Sequence, residues 1–308
     1  MGIYRLTDAK EPVVVLERNQ HLFLLRSQDH QEEIDEKDGI LWLDGGDGRK
    51  YGHDVRRDDS GILHFAYLNF VYSREDAGSD PTRFYHVSPQ QPITELRVKA
   101  LELTPPVETG PFRNPDLVEL ATLDPSIHLD IRYASAKNFL STPVYTQARA
   151  FMQRPAAEAL LRVLLKLQPL GYGLLIHDAY RPWYVTKIFW DATPQEGKIF
   201  VANPQEGSKH NRGCAVDLTL YDLATGQAIE MPGLYDEMSP RSFANFPGGT
   251  SLQRWHRDLL RRAMESEDFT VYEEEWWHFD YKDWKEYGIL NVPFEKIGGS
   301  KQPTDGSH

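Results

Sequence analysis

Two short segments of the chain carry residue types that bind metal ions and activate water. The first runs from Ser208 to Asp217 and places His210 seven residues before Asp217. The second is Glu275-Trp-Trp-His278, in which a glutamate precedes a histidine by three residues. Two imidazoles and one carboxylate supply three protein ligands for zinc and leave a fourth position for water. Glu275 could then take a proton from that water, so the two segments together predict a metal-dependent hydrolase.

The local sequence predicts which elements hold the first pair. Gly213 and the β-type residues after it disfavour a continuous helix between His210 and Asp217. We therefore expect His210 on a turn and Asp217 on the strand that follows, between the apolar Val216 and Leu218. A histidine and an aspartate at this spacing are, taken alone, more typical of a surface residue and a hydrogen-bonding strand residue. A carboxylate in an apolar strand is costly unless it is paired or coordinated, which favours the metal site.

The second segment must bend if both of its functional residues are to reach one site. Positions three apart on a regular strand face opposite sides of the sheet. Glu275 and His278 can therefore share a site only if strand geometry is interrupted between them. In the alternative interpretation, Trp276 and Trp277 are core residues and their polar neighbours are solvated. Each motif is weak alone, but the two motifs in one chain, together with Arg181, favour the metal site.

Arg181 has two possible roles. It lies in Asp178-Ala-Tyr-Arg-Pro182, between a predicted strand and a predicted helix. An arginine stays ionised and presents a planar fork of donors, so it could oppose the charge that develops on a carbonyl oxygen under attack. An ion pair with Asp178 explains the spacing equally well. The residues themselves leave both roles open.

Length and composition describe an acidic globular protein. The chain has 308 residues, of which 40% are hydrophobic, and a formal net charge of -12. This length suggests two domains, and the negative charge argues against nucleic acid and anionic membranes as partners. Cys214 is the single cysteine, so the chain can form no internal disulfide.

The N-terminus and the hydropathy bear on location. No apolar run approaches the ~20 residues of a membrane-spanning helix. The first six residues lack a basic region followed by an apolar one, so no signal peptide is predicted. We expect a cytoplasmic protein from the chain as it stands, and a periplasmic one if a signal peptide has been removed. The sequence does not set the oligomeric state.

The sequence pattern changes along the chain. Residues 1–104 combine β-type runs with glycine-rich turns and predict a small, mostly-β N-terminal domain. Residues 105–114 contain three prolines and predict a stiff linker. Over residues 115–297, helical and strand patterns mix without strict βαβ alternation, which favours an α+β domain. The polar residues 298–308 predict a disordered tail.

Individual elements can be predicted from hydrophobic spacing. The predicted elements are a hairpin at Val13–Leu16 and Leu22–Leu25, a helix over Arg154–Leu167, strands at Gly173–His177, Ala215–Tyr221 and Phe269–Tyr272, a helix after Pro182 and a helix capped by Ser251.

The motifs, in this order, resemble those of the D-alanyl-D-alanine dipeptidases, the VanX type of zinc D,D-peptidase in peptidase family M15. The resemblance covers residues 115–297. It rests on Asp130-Ile-Arg-Tyr-Ala134 with Asn138-Phe139, Asp178–Pro182, Ser208–Tyr221 and Glu275–His278. It implies an α+β catalytic domain of the Hedgehog/DD-peptidase-like fold, one zinc ion per chain, and hydrolysis of D-alanyl-D-alanine or a similar small D,D-dipeptide.

The resemblance also implies roles for individual residues. The positions that match the family's zinc ligands are His210, Asp217 and His278. Glu275 matches the catalytic base, and Arg181 matches the arginine near the scissile carbonyl. The positions that match the substrate-binding residues are Tyr133, Ser208 and Asp236, of which Asp236 suits the free α-ammonium group of a dipeptide.

Two other functions stay open at this point. A D,D-carboxypeptidase or endopeptidase of the same fold would act on peptidoglycan stem peptides, through an open groove rather than a closed pocket. A non-catalytic zinc-containing binding protein is the second, since the signalling domain of Hedgehog proteins resembles this fold; the presence of Glu275 and Arg181 favours an enzyme. The resemblance does not explain the first hundred residues, nor does it separate roles in antibiotic resistance, D-alanine scavenging and wall recycling.

Overall fold

The computed structural model describes eight strands within residues 2–75, and residues 87–297 apart from 196, 197, 199, 200 and 238. The chain divides into two compact units. The first unit comprises Met1–Thr82, Met231–Gly233 and Asn245–Trp255, and the second comprises Arg83–Glu230, Leu234–Ala244 and His256–His308. The domain boundaries at residues 104 and 115 stay predictions. The predicted tail and the predicted glycine-rich turns at 45–48 and 58–61 lie outside the described residues.

Eight antiparallel strands of the first unit follow one another and close into one sheet. They are β1 (Gly2–Arg5), β2 (Val13–Arg18), β3 (His21–Ser27), β4 (His30–Lys37), β5 (Ile40–Asp44), β6 (Lys50–Arg57), β7 (Leu63–Tyr67) and β8 (Phe70–Glu75). Each strand pairs with the next, and β1 also pairs with β8. The predicted hairpin is β2 and β3, in which Leu16 lies opposite Phe23.

The second unit is built on a five-stranded sheet. Its seven strands are β9 (Leu117–Glu119), β10 (Ile127–Leu129), β11 (Phe151–Gln153), β12 (Tyr172–Asp178), β13 (Ala215–Asp222), β14 (Phe269–Tyr272) and β15 (Glu275–Tyr281). The order in the large sheet is β10-β12-β13-β15-β14, and β9 pairs separately with β11. β10 and β12 run parallel, whereas the other neighbours in the large sheet are antiparallel. This mixed sheet agrees with the α+β class.

Four α-helices are described, and amphipathic spacing explains the one that was predicted most fully. They are α1 (Ile93–Leu101), α2 (Arg154–Leu167), α3 (Trp183–Ala192) and α4 (Ser251–Glu265). In α2, Ala157, Leu160 and Leu164 recur at helical spacing and are fully buried. The helix packs against β12. No helix among the described residues combines the length and apolar character needed to cross a membrane.

Helix α1 was not predicted from the sequence, because it lies within the 104 residues that were interpreted as β-rich. It belongs to the second unit and packs against α3. Ile93, Leu96 and Ala100 form its buried face. The prediction that Ser251 caps helix α4 was wrong by one residue. The cap is Thr250, whose hydroxyl accepts the hydrogen bond from the Gln253 backbone N–H at 3.1 Å.

The central strand β13 is buried along almost its whole length. Val216, Leu218 and Leu220 are fully buried on one face, and Asp217 lies on the opposite face at 3% exposure. Because an unpaired carboxylate at such a position would be strongly destabilising, the partners of Asp217 decide what this face of the sheet does.

Gly213 connects the turn that carries His210 to β13, and we predict that its replacement by alanine destabilises the fold. Its φ is +71°, and an added Cβ would lie 2.7 Å from Leu117 Cδ2. The left-handed backbone and this overlap together should lower the free energy of unfolding by about 2–4 kcal/mol, measured by urea denaturation. Gly226→Ala is the matched control, because Gly226 has φ +70° and no atom within 4 Å of an added Cβ. Equal losses in the two variants would contradict a packing role for Gly213.

Candidate metal centre

Three ligand-type atoms converge on one point of the second unit. His210 Nε2 lies 3.3 Å from Asp217 Oδ1 and 3.1 Å from His278 Nδ1. His278 Nδ1 lies 3.0 Å from Asp217 Oδ1. Ligand atoms around a tetrahedral zinc ion, at metal distances near 2.0–2.1 Å, are separated by about 3.3 Å. The three atoms therefore form a triangle close to one face of such a tetrahedron.

Sheet register and a short turn bring these atoms together. Asp217 on β13 lies directly opposite His278 on β15. His210 belongs to a 3₁₀ turn, Lys209–Arg212, whose first residues are capped by the Ser208 hydroxyl, which accepts from the His210 backbone N–H at 3.2 Å. Gly213 then redirects the chain into β13. The prediction of His210 on a turn and Asp217 on the following strand is confirmed.

The bend expected between Glu275 and His278 is present in the pairing of β14 with β15. Val271 lies opposite Phe279, yet the next residue, Tyr272, lies opposite Glu275. The interruption lets both functional residues reach the same place, and a Glu275 carboxylate oxygen lies 3.7 Å from His278 Nδ1. The intervening Trp276 and Trp277 are buried, so the core interpretation of these two residues is also correct.

Each candidate ligand is held by a hydrogen bond on the atom that points away from the triangle. His210 Nδ1 lies 2.7 Å from the Ala179 carbonyl oxygen. His278 Nε2 lies 3.0 Å from Asp280 Oδ1, and the Tyr235 hydroxyl donates to Asp217 Oδ2 at 3.0 Å. A carbonyl can only accept, so His210 Nδ1 carries a proton, and Nε2 is the atom whose lone pair can bind a metal ion. Such outer contacts orient metal ligands in proteins.

The electrostatics of the cluster favour a bound cation. Burial alone would lower the pKa of His278, but hydrogen bonds to Asp217 and Asp280 raise it to about 10. Burial would likewise raise the pKa of Asp217, but the charges and hydrogen bonds of His210 and His278 hold it well below its ordinary value. A proton on His278 Nδ1 can be donated to only one of its two neighbours, His210 Nε2 or Asp217 Oδ1. A divalent cation, in contrast, can be bound by all three atoms. The donor set of two imidazoles and one carboxylate thus fits zinc.

Arg181 forms the ion pair that was one of its two predicted roles. Its Nε and Nη2 donate to Asp178 Oδ2 at 3.0 and 2.7 Å. The same Asp178 oxygen lies 4.0 Å from His210 Nδ1. The guanidinium lies over the rings of Tyr133 and Phe189, with its carbon 5.3 and 4.9 Å from their centres. The ion pair therefore fixes Arg181 beside the cluster.

Two of the three predicted substrate-binding residues contact each other. The Tyr133 hydroxyl donates to Asp236 Oδ2 at 2.9 Å. Asp236 has φ +57°, a conformation that aspartate tolerates better than most residues. Burial, and then the charges of Glu275 and Asp217, raise the pKa of Asp236 to about 8. Ser208 caps the turn of His210. Among the described residues, it forms no hydrogen bond with Tyr133 or Asp236.

We predict that Asp280→Asn weakens metal binding by about 10- to 100-fold, because it removes the anionic acceptor that orients His278. The asparagine amide can also donate an N–H to His278 Nε2. The ring proton would then lie on Nδ1, which would have no lone pair left for a metal ion. Zinc dissociation constants from competition with a chromophoric chelator measure the effect. Asp283→Asn is the control, since Asp283 pairs with Arg113 on the surface at 3.3 Å. Equal zinc affinities of the two variants would contradict the role given to Asp280.

Comparison with known proteins identifies the family that the second unit resembles. The M15 peptidase family model described as D-ala-D-ala dipeptidase matches residues 113–296. The chain is 35% identical to the D-alanyl-D-alanine dipeptidase of Escherichia coli K12 over 179 residues, 58% of this chain and 91% of that protein. It is 34% identical to that of Enterococcus faecalis V583 over 185 residues, 52% of this chain and 90% of that protein.

A third relative is the D-alanyl-D-alanine dipeptidase of Streptomyces coelicolor, 33% identical over 175 residues, 51% of this chain and 87% of that protein. The eight-stranded closed sheet lies outside the residues that the family model matches. The match itself covers more than half of the chain and includes every candidate site residue. The chain therefore belongs to the M15 family of D-ala-D-ala dipeptidases.

Proposed function

We propose that the protein is a zinc-dependent dipeptidase that hydrolyses D-alanyl-D-alanine or a similar D,D-dipeptide. The observation that carries the proposal is the convergence of His210 Nε2, Asp217 Oδ1 and His278 Nδ1, with a Glu275 oxygen 3.7 Å from His278 Nδ1. The names of the relatives, all D-alanyl-D-alanine dipeptidases, support the substrate class.

His210, Asp217 and His278 would hold one zinc ion per chain. When bound, zinc supplies a positive centre that polarises a peptide carbonyl and lowers the pKa of water towards ~7. The three protein ligands leave a position open for water or substrate, as catalytic rather than structural zinc sites do.

Glu275 acts as the general base. Its carboxylate is close to the ligand cluster but is not needed to complete it, so it is free to take a proton from the attacking water. Burial, together with the charge of Asp217, raises the pKa of Glu275 above its ordinary value, which makes it a better base. The same carboxyl group then delivers the proton to the leaving amine.

Arg181 stabilises the oxygen of the carbonyl under attack. Two of its nitrogens are held by Asp178, and this pairing fixes the direction of the guanidinium. A preoriented donor at such a position needs no reorganisation when charge develops on the substrate oxygen. The two roles that the sequence left open for Arg181 are therefore compatible, because the ion pair supports the catalytic role.

Asp236 binds the free α-ammonium of the substrate, and Tyr133 orients it. Burial raises the pKa of this carboxyl, no lysine or arginine forms an ion pair with it within the described part of the chain, and an ammonium group would supply a cationic partner. Because a residue upstream of the dipeptide would convert this ammonium into an amide, Asp236 selects dipeptides over longer stem peptides.

The experiment that tests the proposal is incubation of zinc-loaded protein with D-Ala-D-Ala, L-Ala-L-Ala and a tripeptide that ends in D-Ala-D-Ala, followed by measurement of released amino acids. We expect release from D-Ala-D-Ala, with at most a small fraction of that rate from the other two. Cleavage of the tripeptide at a similar rate would replace the proposal with a D,D-carboxypeptidase. Zinc binding without cleavage of any peptide would replace it with a binding protein.

A further inference from the structure

Tyr235 contacts one of the three candidate metal ligands without being a ligand itself. Its hydroxyl donates to Asp217 Oδ2 at 3.0 Å. The other oxygen of the same carboxylate, Oδ1, faces His278 Nδ1 at 3.0 Å and His210 Nε2 at 3.3 Å. One oxygen of Asp217 is thus occupied by a phenol, and the other is directed into the ligand triangle.

We propose that Tyr235 is a positioning residue that holds Asp217 as a metal ligand through one oxygen only. The inference rests on the ligand set of the proposed function, but it concerns metal binding and not the identity of the substrate.

The reason is the geometry of a carboxylate. An unrestrained aspartate can bind a metal ion through one oxygen or through both, and a small rotation about its side-chain bonds interconverts the two. A hydrogen bond to Oδ2 opposes that rotation, because binding through both oxygens would break or lengthen it. Hydrogen bonds to ligating carboxylates commonly serve this purpose.

Tyr235 is itself held firmly enough to restrain another residue. It is 6% exposed. Its ring centre lies 4.7 Å from that of His177 and 5.4 Å from that of Trp277. The guanidinium carbon of Arg132 lies 6.0 Å from the ring centre. A phenol packed in this way has little freedom to follow Asp217 if the carboxylate turns.

Tyr133 provides an internal comparison of the same residue type. Its hydroxyl donates to Asp236, the residue next to Tyr235. Its ring centre lies 6.3 Å from that of Tyr235. The two phenols therefore share one neighbourhood but serve different carboxylates, Asp217 in the ligand triangle and Asp236 in the proposed ammonium site.

The test compares three phenylalanine variants of the full chain. Tyr235→Phe keeps the ring and removes the hydrogen bond to Asp217. Tyr133→Phe removes the hydrogen bond to Asp236. Tyr221→Phe is the general control, because Tyr221 is on the same strand as Asp217 but donates to the Ser126 carbonyl at 2.9 Å. For each variant we would measure the zinc dissociation constant, the visible absorption spectrum of the Co²⁺ form, and the melting temperature.

We expect Tyr235→Phe to weaken zinc binding by about 10- to 100-fold. Its Co²⁺ bands should lose intensity, since a second carboxylate oxygen would raise the coordination number. Tyr133→Phe and Tyr221→Phe should keep the wild-type zinc affinity and Co²⁺ spectrum, and Tyr133→Phe should raise KM.

A Tyr235→Phe protein that binds zinc within twofold of the wild type and has an unchanged Co²⁺ spectrum would overturn the proposal, even if its turnover fell. A similar loss of zinc affinity in Tyr221→Phe would also overturn it, because a general effect on the fold would then suffice. The zinc dissociation constant, the Co²⁺ spectrum and the melting temperature, which decide the inference, are measured without a peptide, so a failure of the proposed dipeptidase activity would be distinguishable from a failure of this inference.

Discussion

Replacement of Glu275 by glutamine will lower kcat by about 10²–10⁴-fold and leave zinc bound, because general base catalysis contributes a factor of this size. The carboxylate lies 3.7 Å from His278 Nδ1, outside the triangle of ligand atoms. Glutamine has the same shape and cannot take a proton. The measurements are kcat for D-Ala-D-Ala under saturating zinc and the metal content of the dialysed protein.

Glu274→Gln is the matched control for this variant. Glu274 is the adjacent carboxylate, and it is exposed. Its replacement makes the same change in net charge one residue away, so wild-type kcat and metal content are expected. If Glu275→Gln kept kcat within threefold of the wild type, the base would have to be another group. If it lost its metal, Glu275 would be a ligand, and the proposed division of roles would be wrong.

The elements around the site could largely be predicted from the sequence where the information is local. The bounds of α2 follow from apolar spacing and from Pro169 and Gly171, which come just after the helix. The structure has the helix at the predicted residues, Arg154–Leu167. The bend between Glu275 and His278 could be predicted as a necessity, because alternation on a strand separates positions three apart. Its form could not be predicted, since it depends on how β15 pairs with β14.

The residues that orient the candidate ligands differ in how far the sequence could reveal them. Asp280 lies two positions after His278 on the same strand, so alternation alone places both on one face. Tyr235 and Ala179 are far along the chain from the ligands they contact, and only the tertiary fold brings them there. The same reasoning applies to the first compact unit, whose segments Met231–Gly233 and Asn245–Trp255 are distant in sequence from its strands.

Asp236→Asn is expected to lower kcat/KM for D-Ala-D-Ala by roughly 10²–10³-fold, because loss of one partner of a buried charge pair costs about 2–5 kcal/mol. The loss should appear mainly in KM, since the proposed role of Asp236 is to bind the ammonium group. Asparagine keeps the shape of the side chain, can still accept the hydrogen bond from Tyr133, and tolerates φ +57°. The change therefore isolates the charge.

The raised pKa of Asp236 gives this variant a distinct dependence on pH. In the free protein, Asp236 is protonated below about 8, so kcat/KM of the wild type should fall as the pH is lowered through that value. A bound ammonium stabilises the ionised carboxylate, so this acid limb should be much weaker in kcat. In Asp236→Asn the remaining kcat/KM should no longer follow the limb that Asp236 contributes. A wild-type profile that is flat between pH 6 and 8 would contradict the assignment.

The same variant should stabilise the metal-free protein, by an amount that depends on pH. The carboxyl of Asp236 ionises near its ordinary value when the chain is unfolded and only near 8 when it is folded. The folded state thus loses stability relative to the unfolded state as the pH rises from about 4 to about 8. A neutral asparagine removes this loss, so we expect little difference near pH 4 and a gain on the order of a few kcal/mol at pH 8. Asp268→Asn controls for the backbone conformation, because Asp268 is exposed and has φ +66°. A gain of the same size in Asp268→Asn would show that the charge of Asp236 is not the cause. A gain in Asp236→Asn that does not change with pH would show the same. A carboxylate that destabilises the free protein and binds substrate is the arrangement expected if Asp236 is kept for recognition of an ammonium group.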